Sequence, residues 1–466
     1  MSESTPHPTK LAKVLKSREV IALAFGAMIG WSWVLMTGTW LTDSGTVGTL
    51  IAFTVGGLAV ALIGLTYSEL ASAMPKAGGE HIYTLRALGP RWSFACTWAL
   101  LFSYVNVCLF EAIALPTAVE YLFPSIRMGK LWTFLESDVD LGFVLVGSGA
   151  AALVTWINVI GIRTVAVLQS IVTAVILVSG LLLISGAIVF GEIDNAKPFI
   201  AEPSTGIIAV LIMVPALLVG FDVIPQSAEE IDLPPNTIGR LLVISVACAV
   251  IWYVLVAFAV GLGLNAPSRA ASGMPTADAA SALWQQPWAG TLLVLGGIGG
   301  IMTSWNAFVV GGSRVLYALA KSGHVPSAFA RLHPTYKTPY VGILAIGLLS
   351  MIAPFFGRTV LVWLINSGSF ATTVAFLFVA ISFLVLRRTE PDMPRPFKVS
   401  HPRLVGYSAV VLSFGLLNAF LPWSDSSLQW PQEWLTIVAW TCLGLVLLAR
   451  YELNASQRRN SHPLTD

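Results

Sequence analysis

One acidic residue in an apolar segment is the clearest candidate for chemistry in this chain. Glu111 lies in the run Cys108-Leu-Phe-Glu-Ala-Ile-Ala-Leu, and Tyr104 and Cys108 share its helix face through spacings of three and four residues. A carboxylate at membrane depth costs about 2.5–3.5 kcal/mol on insertion scales, so it normally faces a cavity or a partner. Glu111 could pair with an ammonium group, carry a proton, or make a structural hydrogen bond to another helix.

Glycines and prolines interrupt two other apolar segments. They are Gly26-Ala-Met-Ile-Gly30-Trp-Ser-Trp33 and Pro215-Ala-Leu-Leu-Val-Gly220-Phe-Asp-Val-Ile-Pro225. A helix that breaks at membrane depth frees N–H and C=O groups that lipid cannot bind, so the break must line a cavity. Free N–H groups carry partial positive charge and free C=O groups partial negative charge, so together they can hold both ends of a zwitterion. We therefore expect a solute site between these two segments.

The side chains expected at this site come from four apolar segments. Gly220 allows backbone torsions that a side chain would forbid, Phe221 could cover a solute, and Asp222 could brace the break or touch the solute. An aromatic face at Trp31 beside Glu111 would suit an ammonium group through cation–π contact. The predicted binding residues are Ile29, Gly30, Trp31, Ser32, Tyr104, Glu111, Gly220, Phe221, Asp222 and Phe308.

Candidates for ion coupling are Glu111, Thr303 and Ser304. Glu111 would carry a proton, whereas the hydroxyls of Thr303 and Ser304 would coordinate sodium. Hydroxyl side chains in membrane helices also commonly bond to their own backbone, which leaves a purely structural alternative for these two residues. The chain has no metal-ligand spacing of His, Cys or acidic residues, so we expect no cofactor beyond a coupling H⁺ or Na⁺.

The composition restricts the chain to one broad class. Hydrophobic residues make up 56% of the 466 positions and charged residues only 11%, whereas soluble domains carry about 25% charged residues. A net charge of +2 and the lack of a long basic run exclude nucleic acid as an expected partner. The chain is predicted to be an all-α polytopic membrane protein whose surroundings are the lipid bilayer.

Apolar runs of about 20 residues predict roughly twelve transmembrane helices. They lie near 20–41, 46–72, 92–117, 142–161, 164–189, 205–226, 239–263, 287–318, 340–355, 359–386, 403–421 and 433–449. With both termini in the cytoplasm, 21 of the 26 lysine and arginine residues fall on the cytoplasmic side. This bias follows the positive-inside rule and predicts a multi-pass protein of the cell (inner) membrane.

Four stretches carry a resemblance to a known family. They are Gly26-Ala-Met-Ile-Gly30, Tyr67-Ser-Glu-Leu-Ala-Ser-Ala-Met-Pro-Lys-Ala-Gly-Gly79, Gly220-Phe-Asp with Ala228-Glu-Glu-Ile-Asp-Leu-Pro-Pro235, and Gly312-Ser-Arg-Val-Leu-Tyr-Ala-Leu-Ala-Lys-Ser-Gly323. With them the chain resembles the amino acid–polyamine–organocation superfamily, whose members share the LeuT-type fold. The resemblance implies that helices 1 and 6 are discontinuous and hold the substrate between them.

The same resemblance implies a division of the chain into repeats. Helices 1–5 and helices 6–10 would form a 5+5 inverted repeat, followed by two peripheral helices. The expected boundaries are 1–19 for a cytoplasmic N-terminal tail, 20–190 and 205–388 for the two repeats, 402–450 for helices 11 and 12, and 451–466 for a cytoplasmic C-terminal tail. Whether the protein is a monomer or a homodimer stays open.

The sequence also departs from the family pattern. Trp31 and Ser32 stand where the family has a small Ser/Thr-Gly pair whose amides take the substrate carboxylate, so Trp31 either narrows the pocket or turns away to pack on a neighbouring helix. The lysine of proton-coupled members would align with Ile176, and helix 5 has no lysine. At the cytoplasmic side, Glu229, Glu230 and Asp232 with Arg314 form either an inner gate of ion pairs or a set of solvated charges. His81 and His324 are expected at the surface.

These observations predict a secondary active transporter for an amino acid or a small organic amine, working by alternating access with proton coupling or exchange. A sodium-coupled symporter is the alternative within the same class. A solute channel is the alternative from another class, although no filter-like repeat or ring of charges is present. HExxH, GxSxG and P-loop motifs are absent, so we expect no enzyme activity.

Overall fold

A computed structural model describes Leu11 and residues 13–135, 137–202, 205–424 and 427–461 of the chain. Most of these residues lie in helices. The helices are α1 Ser17–Ile29, α2 Ser32–Leu35, α3 Thr37–Ala73, α4 Glu80–Leu88, α5 Pro90–Leu122, α6 Leu141–Ile160, α7 Ile162–Phe190, α8 Thr205–Leu217, α9 Val223–Gln226, α10 Pro235–Gly263, α11 Ala266–Ala271, α12 Pro275–Trp284, α13 Pro287–Lys321, α14 Tyr340–Ile352, α15 Val360–Thr389, α16 Pro402–Ala419 and α17 Gln432–Ser461.

Short elements connect these helices. A two-stranded antiparallel hairpin, β1 Lys130–Phe134 and β2 Ser137–Asp140, lies between α5 and α6. The 3₁₀ turns are Pro124–Ile126, Ile193–Ala196, Ala228–Glu230, Ser327–Ala330 and Ala353–Phe356.

Eight of the described helices are long and apolar enough to cross a membrane, and two shorter apolar segments, Thr205–Leu217 and Tyr340–Phe356, accompany them. The prediction of an all-α polytopic membrane protein is confirmed. The count of about twelve transmembrane helices and the inverted-repeat boundaries stay predictions. Residues 1–10, residue 12 and residues 462–466 of the predicted tails lie outside the described residues.

The first predicted helix is interrupted where the sequence indicated. α1 ends at Ile29, Gly30 takes a left-handed φ of 49°, and α2 starts at Ser32. Helical structure then resumes at Thr37 in α3, which turns at Gly45 (φ 75°) into the second predicted helix. We call Gly30–Trp31 the first break.

The sixth predicted helix is interrupted in the same way. α8 ends at Leu217, residues 218–222 form a turn, and α9 starts at Val223. Gly220 has a φ of 130°, and a Cβ atom there would lie 2.6 Å from the Cβ of Ala27 in α1, so only glycine fits. We call residues 218–222 the second break. The prediction that both helices are discontinuous is confirmed, and the second break touches the last turns of α1.

α13 and α5 occupy the centre of the bundle. The most apolar 18-residue window is 83% buried in α13 and 78% buried in α5, compared with 6% in α17. α13 corresponds to predicted helix 8, α5 to helix 3, α7 to helix 5 and α10 to helix 7. α13, α7 and α10 pack against α1, whereas α8 packs chiefly against α3.

Candidate functional site

A tyrosine of α10 connects the two breaks. The Tyr253 hydroxyl lies 2.9 Å from Met28 O and 3.1 Å from Ile29 O at the end of α1, and 3.4 Å from Leu217 O at the end of α8. It also lies 2.9 Å from Ser32 Oγ. One phenolic hydrogen cannot serve three carbonyl groups at once. The breaks therefore keep acceptor capacity that a positively charged solute group could use.

Glu111 reaches the first break from α5. It is 2% exposed, and a Cβ atom placed on Gly30 would lie 3.4 Å from Glu111 Oε1 and 3.8 Å from Ser304 Oγ. Within the described part of the chain, Glu111 Oε2 has no hydrogen-bond partner. A buried carboxyl group in this state costs free energy, and a bound proton or a solute ammonium group would remove that cost.

Asp222 braces the second break. Its Oδ1 accepts a hydrogen bond from Gly220 N at 2.8 Å, and its Oδ2 accepts one from the Tyr104 hydroxyl of α5. All three residues are buried. The side chain therefore satisfies a free backbone amide of the break and ties that break to α5.

Phe221 and Phe308, the two phenylalanines among the predicted binding residues, have different surroundings. Phe221 stacks on Phe376 of α15, with ring centroids 5.5 Å apart, and meets Tyr67 of α3 edge-on at 5.2 Å. Phe308 of α13 meets the Tyr104 ring at 5.2 Å. Phe221 is thus held between helices next to the second break, and Phe308 extends the wall formed by Tyr104.

Helix α13 carries a glycine run, Gly296-Gly297-Ile298-Gly299-Gly300, against which the first break rests. A Cβ atom on Gly300 would lie 1.9 Å from Gly30 O, so glycine permits this close approach. A Cβ atom on Gly297 would lie 2.4 Å from Trp31 Cζ3, which shows that the indole packs on α13. Trp31 is buried, and its contact with a solute stays a prediction.

Thr303 and Gln169 join α13, α1 and α7 next to the first break. Thr303 Oγ1 lies 3.2 Å from Gly26 O and 3.0 Å from Gly300 O. Gln169 Nε2 donates to Thr303 O at 3.0 Å and lies 3.4 Å from Ala22 O. A neutral amide of α7 therefore occupies the junction of these three helices.

On the inner side, meaning the side predicted to be cytoplasmic, an ion pair joins α13 to the segment that follows α9. Arg314 Nε and Nη2 each lie 2.9 Å from a Glu230 carboxylate oxygen, and both side chains are 1% exposed. Val14 and Leu15 donate their N–H groups to Glu230 O at 2.9 Å, and Asp232 N donates to Leu15 O at 2.8 Å. For Glu230 and Arg314, the ion-pair alternative is confirmed.

The expectation that His81 and His324 lie at the surface is wrong. Both are buried, and their rings are 5.8 Å apart. His324 stacks on Tyr451 of α17 at 4.1 Å, so the last helix covers it. Burial, together with the neighbouring His324, lowers the pKa of His81 to about 4, so its ring is neutral near physiological pH.

The structure arranges the predicted site residues in two groups. Sequence reasoning missed Tyr253, Gln169 and the glycine run of α13, although the run Gly296–Gly300 was a readable signal of close helix approach. The group at the first break consists of Ile29, Gly30, Ser32, Glu111 and Ser304, with Trp31 and Thr303 on the side of α13. The group at the second break consists of Tyr104, Gly220, Phe221 and Asp222, with Phe308 beside Tyr104.

Comparisons with known proteins agree with this architecture. Residues 15–447 match the family model described as "Amino acid permease". A branched-chain amino acid permease of Bacillus subtilis is 26% identical over 97% of this chain and 96% of its own length. A methylthioribose transporter of Bacillus subtilis is 26% identical over 95% of this chain and 94% of its own length. Mouse cationic amino acid transporter 4 is 28% identical over 84% of this chain and 62% of its own length. The chain belongs to the amino acid permease family.

Proposed function

We propose that this protein is a secondary active transporter that moves an amino acid or a small organic amine by alternating access. The proposed location is the cell membrane, with both termini in the cytoplasm. The observation that carries the proposal is the buried Glu111 carboxyl group beside the first break, where Oε2 lacks a partner in the described structure. An ammonium group bound there would supply the missing opposite charge.

Both ends of an amino acid have complementary groups near the first break. The ammonium group would contact Glu111 and the carbonyl oxygens of Met28 and Ile29, which share the single Tyr253 hydroxyl. The carboxylate would accept a hydrogen bond from the Ser32 hydroxyl, which is partly exposed at the first break and lies 2.9 Å from the Tyr253 hydroxyl. Trp31 and Phe308 would supply the apolar walls.

The names of the relatives support a small organic solute without selecting one. One is a permease for branched-chain amino acids, one a transporter for cationic amino acids, and one a transporter for methylthioribose. The first two solutes carry an ammonium group. Glu111 favours these over a neutral solute, because a neutral solute would leave the carboxyl group without a cation.

Proton coupling or exchange is the proposed energy source. Gln169 supports this choice over sodium, because its amide nitrogen donates hydrogen bonds at the helix junction where Thr303 would otherwise offer oxygens to a cation. Glu111 would carry the proton or pair with the solute. Uptake that persists when choline replaces sodium would support this choice, and uptake that needs sodium would contradict it.

The test is uptake of labelled leucine and arginine by proteoliposomes that contain the purified protein. We expect saturable accumulation against a gradient for at least one of the two probes, which a channel cannot produce. Glu111→Gln should abolish uptake or its dependence on pH. Asp392→Asn is the control, because Asp392 is exposed in the segment after α15 and the same charge is removed.

Two results would contradict the proposal. Unchanged uptake and pH dependence in Glu111→Gln would remove Glu111 from the mechanism. Downhill flux without saturation or accumulation in the unaltered protein would favour a channel.

A further inference from the structure

A second buried carboxyl group lies at the inner side, outside the membrane-spanning segments. Glu80 begins α4, the short helix between α3 and α5, and is 0% exposed. Its Oε2 accepts a hydrogen bond from Gln226 Nε2 of α9, and its Oε1 has no hydrogen-bond partner within the described structure. The transport scheme above gives this group no role.

The groups that face Glu80 supply no positive charge. Within the described residues they are Tyr67 of α3, Tyr83 of α4 itself, Cys96 and Tyr104 of α5, Asp222 of the second break and Gln226 of α9. Burial raises the pKa of Glu80 well above its usual range, and the nearby Asp222 carboxylate raises it further. Burial without a positive partner disfavours the ionised form, so the closed arrangement favours the protonated carboxyl group.

The cover over Glu80 is the inner half of the broken sixth helix. A Cβ atom on the preceding Gly79 would lie 2.9 Å from Pro225 Cβ and 3.3 Å from Gln226 N, so α4 starts directly against α9. The Glu230–Arg314 ion pair holds the segment that follows α9 in the same closed position. Opening of the inner side by movement of α9 would remove Gln226 from Glu80 and admit water.

We propose that Glu80 is a proton-binding site that links opening of the inner side to internal pH, an inference that rests on the alternating-access function proposed above. When α9 moves away, the carboxyl O–H bond breaks and an internal water molecule takes the proton, which leaves a hydrated carboxylate. When α9 returns, the carboxylate takes a proton back from the internal solution.

The sign of the pH effect follows from this linkage. The closed state binds one more proton than the open state, so internal acid stabilises the closed state and internal alkali favours opening. For one proton the opening equilibrium changes by up to about tenfold per pH unit. A change in external pH should leave this part of the opening equilibrium unchanged.

One test is exchange of labelled leucine or arginine in proteoliposomes as internal pH is varied at constant external pH. We expect the exchange rate of the unaltered protein to rise with internal pH. Glu80→Gln cannot ionise, so its rate should be flat and close to the acidic limit of the unaltered protein. Glu80→Asp, which keeps a carboxyl group, should retain a pH dependence, and Asp392→Asn, at an exposed position after α15, should behave as the unaltered protein does.

Infrared difference spectroscopy gives a readout that needs no solute. The spectrum of the unaltered protein minus that of Glu80→Gln should contain a protonated carboxylic acid band near neutral pH. If Glu80→Gln does not fold, Glu80→Asp is compared with the unaltered protein instead. A lost or shifted acid band, and a shifted dependence of the exchange rate on internal pH, would then decide the question.

Several results would overturn the inference. These are a carboxylate band for residue 80, an internal-pH response in Glu80→Gln equal to that of the unaltered protein, or loss of exchange at every pH in a folded Glu80→Gln. Failure of the unaltered protein to exchange either probe would instead count against the proposed function, and the infrared band would still decide whether Glu80 holds a proton.

Discussion

The two breaks differ in what satisfies their backbone. The second break is braced by its own Asp222, which accepts hydrogen bonds from Gly220 N and the Tyr104 hydroxyl, while Phe221 is packed between two other rings. The first break depends on Tyr253 from another helix, and it faces the Glu111 carboxyl group. Gly30 and Ser32 there are partly exposed, whereas residues 218–222 are buried.

The two breaks therefore have different tasks, although their sequence motifs are alike. A break whose polar groups are already paired gains little from a solute and serves to shape the site. A break with shared acceptors and a nearby carboxyl group whose Oε2 lacks a partner among the described residues gains hydrogen bonds and charge pairing when a solute binds. Binding free energy should therefore come mainly from the first break, and the second should contribute mainly to folding.

The largest expected effect is that of Gly220→Ala at the second break. The left-handed φ of 130° and a Cβ position 2.6 Å from Ala27 Cβ combine backbone strain of about 1–3 kcal/mol with overpacking. We expect a lower apparent Tm and loss of uptake. Gly149→Ala in α6 is the control, because nothing lies within 4 Å of a Cβ atom there. Equal thermal stability of the two variants would contradict the close contact between the second break and α1.

The next test exchanges Asp222 for Asn and for Ala. Asparagine can accept from Gly220 N and donate to the Tyr104 oxygen, so Asp222→Asn should stay folded and keep uptake within a few-fold of the unaltered protein. Alanine leaves both partners buried and unsatisfied, at about 1–3 kcal/mol each, so its apparent Tm should fall. If folded Asp222→Asn loses uptake as Glu111→Gln is expected to, then the charge of the second break also takes part in transport.

The smallest expected effect is that of Tyr253→Phe. The ring would keep its packing on Trp40 and Phe53, and only the hydroxyl shared by the breaks would be lost. A hydrogen bond of about 0.5–1.5 kcal/mol corresponds to a change of up to about tenfold in apparent KM, with little change in Tm. Tyr121→Phe, which removes a hydroxyl bound to Asp278 on the outer side, is the control. An unchanged KM in Tyr253→Phe would mean that the link between the breaks does not affect binding.

The sequence predicted the helical class and both breaks, because glycines and prolines in an apolar run are a local signal. It also located Glu111, since a carboxyl group in such a run is rare. Tyr253 and Gln169 could not be found in this way, because each is one polar residue on an apolar helix. Tyr253 bonds to carbonyl groups more than 200 residues away in the chain, and only the tertiary structure brings them together.

The error over His81 and His324 has a different physical origin. Connecting segments are normally solvated, so histidines there were expected at the surface. In this fold the short helix α4 packs against the helical bundle, and the Tyr451 ring of the last helix stacks on His324. Long-range packing of this kind leaves no periodic pattern in the connecting segments themselves.

The pairing of Leu15 with Ile231 has a mechanical consequence. Leu15 lies just before α1, and Ile231 follows α9 by a single turn, so main-chain hydrogen bonds connect the inner halves of both broken helices. Moving one half without the other would break these hydrogen bonds. A load on the N-terminal tail, from a fused tag or an attached protein, would be transmitted to both halves at once.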